Sequence, residues 1–174
     1  MAKKHKAEDM EPSPALRIID KYPATLAGRA VGILVTDGAD GRLVTSIKKA
    51  VEDEGVTVKI IAPRVGGVIL KGGKSLPVDG QLAGSPSVIF DAVALVFSEE
   101  GGELLLKEAA AVDFVRDAFG HLKAIGFTDA ARPLLDKAAV VPDAGVVDLA
   151  KVKDFIGPAQ TRLWAREPSI RTLA

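Results

Sequence analysis

Four short apolar runs constrain the fold of this chain more than any other feature. They cover residues 29–35, 56–61, 92–97 and 123–127, and turn-forming residues bound each of them. Short continuous apolar runs are typical of strands that are buried on both faces of a parallel sheet. Segments of mostly helical pattern separate them, so parallel pairing with right-handed crossovers is expected. The sequence therefore predicts an α/β fold, with a doubly wound, mainly parallel sheet and helices on both faces.

The composition supports a buried core and excludes several classes of function. Hydrophobic residues make up 48% of the 174 residues, whereas aromatic residues make up only 5%. The 23 basic and 23 acidic residues cancel, so no general attraction for nucleic acid or an anionic membrane is expected. The chain has no cysteine, which excludes a disulfide and a cysteine nucleophile. No run is long enough to span a bilayer and no signal peptide is evident, so we expect a cytoplasmic protein without a membrane partner.

The chain divides into a leading arm and one domain. Residues 1–11 are charged and lack aromatic and β-branched side chains, and prolines interrupt the residues that follow. We expect residues 1–27 to form a flexible arm or linker, with at most one short helix over 15–21. Residues 28–174 are expected to form the domain, ending in C-terminal helices.

The remaining elements are predicted from periodicity and turn signals. Asp40 is expected to cap the first helix and Gly55 to end it. A Gly-Gly turn within Lys71–Lys74 predicts a small β-hairpin insertion. The predicted elements are a helix over 42–54, hairpin arms at 68–70 and 75–78, a polar loop over 98–103, helices over 104–119 and 130–138, short edge elements at 140–141 and 145–147, and helices over 148–156 and 160–166.

The loop after the first strand is the first candidate site, because ligands bind at the carboxyl ends of parallel strands. It contains Asp37 and Asp40 but no lysine and no dinucleotide-binding spacing, which argues against a phosphate loop. A metal ion held by the two carboxylates would lack a third ligand in the sequence. A plain turn with Asp40 as the helix cap is the favoured interpretation.

The turn after the fourth strand is the second candidate, because a nucleophile on a strand-to-helix elbow would stand there. The residue at this turn is Thr128, followed by Asp129. Threonine needs a base, and the two histidines are His5 in the arm and His121, which precedes the strand and belongs at the opposite edge of the sheet. Thr128 is therefore predicted to be a helix cap or a hydroxyl at the edge of the core.

Two further groups have a functional and a structural interpretation. Glu99 and Glu100 could be an acid pair, but their polar, glycine-containing surroundings favour a solvated surface. Trp164 lies between Arg162 and Arg166, an arrangement that could stack on a base. One aromatic residue on a terminal helix of a neutral chain favours a packing anchor instead.

Three motifs carry a resemblance to a known family. The runs at 32–41, 85–93 and 162–167 resemble, in order and spacing, the C-terminal domain of large-subunit, haem-containing catalases. The segment 12–16 resembles the linker between the catalase core and that domain. The resemblance covers about residues 12–167.

The resemblance implies a flavodoxin-like fold similar to the class I glutamine amidotransferase-like superfamily, which includes PfpI-type peptidases, deglycases and small stress chaperones. Those enzymes use an elbow cysteine with a nearby Glu or His. Here the elbow position is Thr128, and the acidic position of the first helix is Leu43. The resemblance therefore implies a degenerate elbow and a vestigial pocket formed by Asp37, Asp40 and Asp129.

The expected function follows from that family. The resemblance implies a non-catalytic domain that stabilises a catalase, whose haem core dismutates hydrogen peroxide in oxidative-stress defence. The expected partners are the catalase core, other subunits of a homo-oligomer and, by analogy with the superfamily, unfolded client proteins. The chain lacks a catalase core, and its one tyrosine, Tyr22, lies in the linker, so we expect neither haem nor peroxide chemistry in the chain itself. The alternatives are a free-standing PfpI-type hydrolase or deglycase, and a flavodoxin-like binder of small ligands.

Overall fold

The computed structural model describes residues 10–19, 21 and 23–170. The predictions for residues 1–9, which include His5, and for Tyr22 lie outside the described residues. In residues 10–19 the structure has a turn at 14–16 rather than a helix. No helix of the described ranges is long and apolar enough to cross a membrane.

A parallel sheet forms the centre of the domain. Its strands are β1 (Ala30–Val35), β2 (Thr57–Ala62), β5 (Gly80–Gln81), β6 (Ala92–Val96), β7 (Ala124–Phe127) and β8 (Val146–Asp148). They lie in the order β5-β2-β1-β6-β7-β8, and every neighbouring pair is parallel. Apart from the short β5, this is the strand order of a flavodoxin-like sheet. The predicted α/β fold class is confirmed.

Helices cover both faces of the sheet. They are α1 (Gly41–Glu52), α2 (Glu99–Leu105), α3 (Ala109–Gly120), α4 (Arg132–Lys137), α5 (Val152–Ala159) and α6 (Glu167–Ile170). Side chains of α1 and α5 share one core cluster, and those of α2, α3 and α4 share the other. Successive strand residues point to opposite faces, so Ile33 packs in the first cluster and Leu34 in the second. This alternation produces the two apolar layers.

The elements around the first crossover largely follow the prediction. Asp40 caps α1, since its Oδ1 accepts a hydrogen bond of 2.8 Å from the N–H of Arg42. The helix buries Val44, whereas Leu43 is half-buried. Strands β3 (Val68–Ile69) and β4 (Ser75–Leu76) form the predicted hairpin.

The predicted loop at 98–103 and the single helix at 104–119 are wrong. Residues 99–105 form α2, and a turn over 106–108 separates it from α3. The side-chain oxygen of Ser98 accepts from the N–H of Gly101 and caps α2. This cap and the packing of the helix outweigh the low helical propensity of its two glycines.

The C-terminal prediction also needs correction. Asp148 caps a 3-10 turn at 149–151 rather than the α-helix itself. Helix α5 then continues through Pro158, because burial of Phe155 and Ala159 compensates for one lost backbone hydrogen bond near its end. Residues 160–166 contain only a 3-10 turn at 164–166, and residues 140–141 form no strand.

Candidate functional site

The carboxyl ends of β1, β2 and β6 open into a cleft of about 1100 Å³. This edge of the sheet, which we call the carboxyl edge, is where α/β proteins bind ligands. Both signs of charge line the cleft. The carboxylates belong to Asp37, Asp40, Glu99, Glu100 and Glu108, and the cations to Arg64, Lys71 and Lys107.

The floor of this cleft, between the ends of β1 and β6, is closed by direct hydrogen bonds. The N–H of Ser98 donates to Oγ1 of Thr36 at 3.0 Å. The hydroxyl of Ser98 donates to the carbonyl of Asp37 at 2.5 Å. Thr36 is only 2% exposed. A ligand bound between the ends of β1 and β6 would have to break these bonds. The open space of the cleft therefore lies above them.

Helix α2 approaches the strand ends closely because its first turns contain Gly101 and Gly102. A Cβ at Gly101 would clash with the side chain of Thr36, and one at Gly102 would clash with the carbonyl of Ala130. Both glycines are buried. The helix therefore fills space above β1, β6 and β7.

Each aspartate of the predicted pocket has a structural partner. Asp37 accepts from the N–H of Ile69 at 2.7 Å, which attaches the hairpin to the loop after β1. Asp40 caps α1. Asp129 accepts from Nε of Arg132 at 2.8 Å and lies on the surface.

The structure brings Asp37 and Asp40 to the carboxyl-edge cleft, but Thr128 and Asp129 do not line it. Leu43 packs against the α1 and α5 cluster and does not line the cleft either. Within the described residues, no group of three or more His, Asp or Glu side chains is arranged to hold a metal ion.

Thr128 occupies a relaxed turn rather than a strained elbow. Its backbone is extended, with φ −92° and ψ 157°, whereas a nucleophile elbow is a sharp, strained turn. Its Oγ1 accepts from the N–H of Phe97 at 3.1 Å and lies 3.4 Å from the carbonyl oxygen of Leu95. His121 is exposed and precedes β7, at the opposite edge. Thr128 makes no side-chain capping bond. Its hydroxyl instead bonds to the backbone of β6 and the residue after it, at the edge of the core.

Glu99 and Glu100 lie in the first turn of α2 and are exposed. Their charges are favourable at a helix N-terminus. They form no ion pair among the described residues. The solvated surface expected from the sequence is confirmed, although on a helix rather than in a loop.

The opposite edge of the sheet, at the starts of β1, β6 and β7, holds polar contacts that sequence reasoning missed. We call it the amino edge. Arg162 donates to the carbonyl of Asp91 at 2.8 Å and to its Oδ1 at 3.0 Å. The other carboxylate oxygen of Asp91 accepts from the N–H of Ala30 at 3.0 Å. One ion pair thus connects the C-terminal segment with the starts of two strands.

Arg166 makes the most buried of these contacts. Its side chain is 1% exposed, and its Nε and Nη2 donate to the carboxylate of Asp143 at 2.6 and 2.9 Å. Its Nη1 donates to the carbonyls of Phe119 and Lys123, both at 3.0 Å. Burial raises the pKa of Asp143, but hydrogen bonds from Arg166 and from the N–H of Gly145 outweigh burial and hold that pKa below its usual value. The spacing of Arg162 and Arg166 around Trp164 was the signal available in the sequence.

Lys123 is 2% exposed and donates from Nζ to the carbonyl of Ser87 at 2.6 Å. Burial lowers its pKa from 10.5 to about 8, and the charge of Arg162 adds to the decrease, whereas Asp91 and Asp117 oppose it. Lys123 is the residue before β7, and the sequence around it contained no signal that this lysine would be buried rather than exposed.

Comparison with known proteins identifies the family. The model of the C-terminal domain found in long catalases matches residues 27–166. The chain belongs to this family. The resemblance inferred from the three motifs is therefore confirmed.

Relatives of the catalase C-terminal domain family share most of this chain. Catalase C of Rhizobium meliloti is 44% identical over 170 residues, which are 94% of this chain and 24% of that protein. Catalase HPII of Pseudomonas aeruginosa is 30% identical over 168 residues, again 94% of this chain and 24% of the relative. The chain thus spans about a quarter of the length of these relatives.

Solved structures support the fold of this catalase C-terminal domain. DJ-1beta of Drosophila melanogaster has a TM-score of 0.64 at 15% identity and covers 82% of this chain and 95% of its own. A DJ-1 superfamily protein from Salmonella typhimurium has a TM-score of 0.63 at 20% identity and covers 84% and 96%. At these identities the likeness concerns the fold alone.

Proposed function

We propose that this chain is a non-catalytic C-terminal domain of a long catalase and that it stabilises the enzyme. The observation that carries the proposal is the turn at Thr128, in a chain of the catalase C-terminal domain family. The backbone there is extended, the hydroxyl is engaged by Phe97, and the one described histidine lies at the other edge of the sheet. A threonine in this setting has neither the geometry nor the base of a nucleophile.

The peroxide chemistry is assigned to the haem core that precedes such a domain. The described residues do not fit a haem: His121 does not line the carboxyl-edge cleft, and carboxylates and cations both line that cleft. The partners in this proposal are the catalase core and other subunits of a homo-oligomer, in the cytoplasm.

Turnover assays test the non-catalytic part. The full chain and Thr128→Ala are incubated with an activated ester and with a protein glycated by an α-oxoaldehyde. We expect the rates of both proteins to equal the rate of the buffer alone. Turnover by the wild-type chain that Thr128→Ala abolishes would instead establish a PfpI-type hydrolase or deglycase.

Heat inactivation tests the stabilising part. The core of Rhizobium meliloti Catalase C is prepared alone and joined to this full chain in place of the matching C-terminal residues. We expect the joined protein to keep its peroxide-decomposing activity longer on heating. Equal half-lives of the two proteins would contradict a stabilising role.

Protection of unfolded clients is a separate part of the proposal, and it rests only on the analogy with stress chaperones of the superfamily. The test is light scattering by a heat-stressed client protein, with and without a several-fold excess of this chain. Unchanged scattering would remove the chaperone-like activity and leave the stabilising role intact.

A further inference from the structure

The amino edge is where the polypeptide enters the domain. The N–H of Asp91 donates to the carbonyl of Ala30 at 2.7 Å, and the N–H of Leu163 donates to the carbonyl of Leu122 at 2.8 Å. These bonds bring the starts of β1, β6 and β7 together with the C-terminal segment. Leu26, four residues before β1, is fully buried. The leading segment is thus anchored at this edge.

Described residues of the leading segment form local hydrogen bonds, and two of them lie against this edge. The N–H of Leu16 donates to the carbonyl of Ser13 at 3.1 Å, and Nζ of Lys21 donates to the carbonyl of Ala15 at 2.7 Å. Side chains from this segment line a cleft of about 470 Å³ with residues of the domain. Ile18 and Pro23 of the segment line it together with Asp91, Arg162 and Trp164 of the domain. Ile18 and Pro23 of the leading segment therefore lie at the amino edge.

Two adjacent apolar side chains are exposed at this edge on a rigid support. Val88 and Ile89 are 54% and 59% exposed. They belong to a 3-10 turn, Ser87–Ile89, whose carbonyl at Ser87 is fixed by the buried Nζ of Lys123. The next residue, Phe90, is buried and lies 6.3 Å from Phe114 between ring centroids. Paired apolar side chains on a fixed turn suit contact with another folded surface.

We propose that the amino edge, including Val88 and Ile89, is the surface that docks on the part of a long catalase that precedes this domain. The inference rests on the proposed function and adds the contact surface to it. The family is a C-terminal domain, and this chain matches 24% of Catalase C, so about three quarters of such a polypeptide lies outside the match. That polypeptide meets the domain at the amino edge, and the carboxyl-edge cleft faces away from it.

Amide hydrogen exchange of the joined protein described above, compared with this chain alone, tests the surface. We expect exchange at residues 87–91 to slow by at least about tenfold on joining, since docking must be broken before these amides open. Exchange in the hairpin at 68–76 is expected to stay unchanged. Slowing in the hairpin without slowing at 87–91 would overturn the inference.

Matched variants separate the surface from general effects on folding. Val88→Ser with Ile89→Ser removes exposed apolar groups at the amino edge, and we expect it to abolish the slowing. Val65→Ser with Ile69→Ser removes groups of 74% and 52% exposure away from that edge, and we expect the slowing to remain. Equal effects of the two pairs would contradict the assigned surface.

The outcomes also separate this inference from the proposed function. Slowing at 87–91 without a longer half-life on heating would support the surface and contradict the stabilising role. A longer half-life without slowing at 87–91 would support the stabilising role and contradict the surface. Slowing at 87–91 in the unjoined chain on raising its concentration would identify a second copy as the occupant and overturn the proposal.

Discussion

Removal of the Arg166 side chain is expected to destabilise this domain strongly. Arg166→Ala deletes a fork of two hydrogen bonds to Asp143 and removes the Arg166 donor from the carbonyls of Phe119 and Lys123. It also removes a guanidinium that lies 4.1 Å from the centre of the Phe119 ring. Breaking a buried ion pair by removing one partner costs about 3–5 kcal/mol. The Asp143 side chain is 30% exposed and water can reach it, which favours the lower figure, about 3 kcal/mol.

Thermal unfolding followed by circular dichroism measures this effect. For a domain of this size, about 3 kcal/mol corresponds to a decrease in Tm of roughly 6–12 °C. The control is Arg116→Ala, which breaks an exposed pair of 3.4 Å with Asp113 and is expected to change stability by less than about 0.5 kcal/mol. A Tm for Arg166→Ala within about 2 °C of the wild type would refute the assignment of Arg166 as the main anchor of the C-terminal segment.

The same contact has a pH dependence of known sign. The pKa of Asp143 is lower in the folded state than in the unfolded chain, so its contribution is fully present above its unfolded value of 3.8. The contribution is lost as the pH falls through the folded pKa. Arg166→Ala removes the hydrogen bond that most lowers this pKa. The difference in free energy of unfolding between wild type and Arg166→Ala is therefore expected to shrink in acid, as measured by urea unfolding below pH 4.

Four further substitutions have expected outcomes. The pKa of Lys123 is about 8 in the folded protein and 10.5 in the unfolded chain. Between these pH values the unfolded chain binds more protons than the folded protein, so the free energy of unfolding rises with pH. The stability advantage of Lys123→Met over wild type should fall by on the order of 3 kcal/mol from pH 7 to 10.5, measured by urea unfolding. Gly102→Ala places a methyl group against the backbone of Ala130 and should lower the free energy of unfolding by at least about 2 kcal/mol. Gly157→Ala, whose methyl group meets no other atom, should raise the free energy of unfolding by roughly 0.5–1 kcal/mol. Equal shifts in Tm for the two variants would contradict this difference. Thr128→Val should lower stability by about 1–2 kcal/mol, because the N–H of Phe97 loses its acceptor, and an unchanged urea midpoint would show that the bond is unimportant.

Much of the architecture could be predicted because it depends on local signals. The apolar runs that became β1, β2, β6 and β7 are distinctive in any context, and Asp40 caps α1 through a bond two residues away. Where packing decided the outcome, the prediction was wrong. The polar residues 98–103 predict a loop, yet the two glycines among them allow α2 to contact Thr36 and the turn after β7.

The sequence by itself determined the order of the strands along the chain, the family, and the residue type at the elbow position, because these depend on local composition and order. Tertiary structure alone decided which polar groups meet. Asp91 and Arg162 are 71 residues apart, and Asp143 and Arg166 are 23 apart, so no local pattern pairs them. It also decided that the turn at Thr128 is relaxed and that Lys123 is buried, since backbone angles and burial follow from the elements packed around these residues.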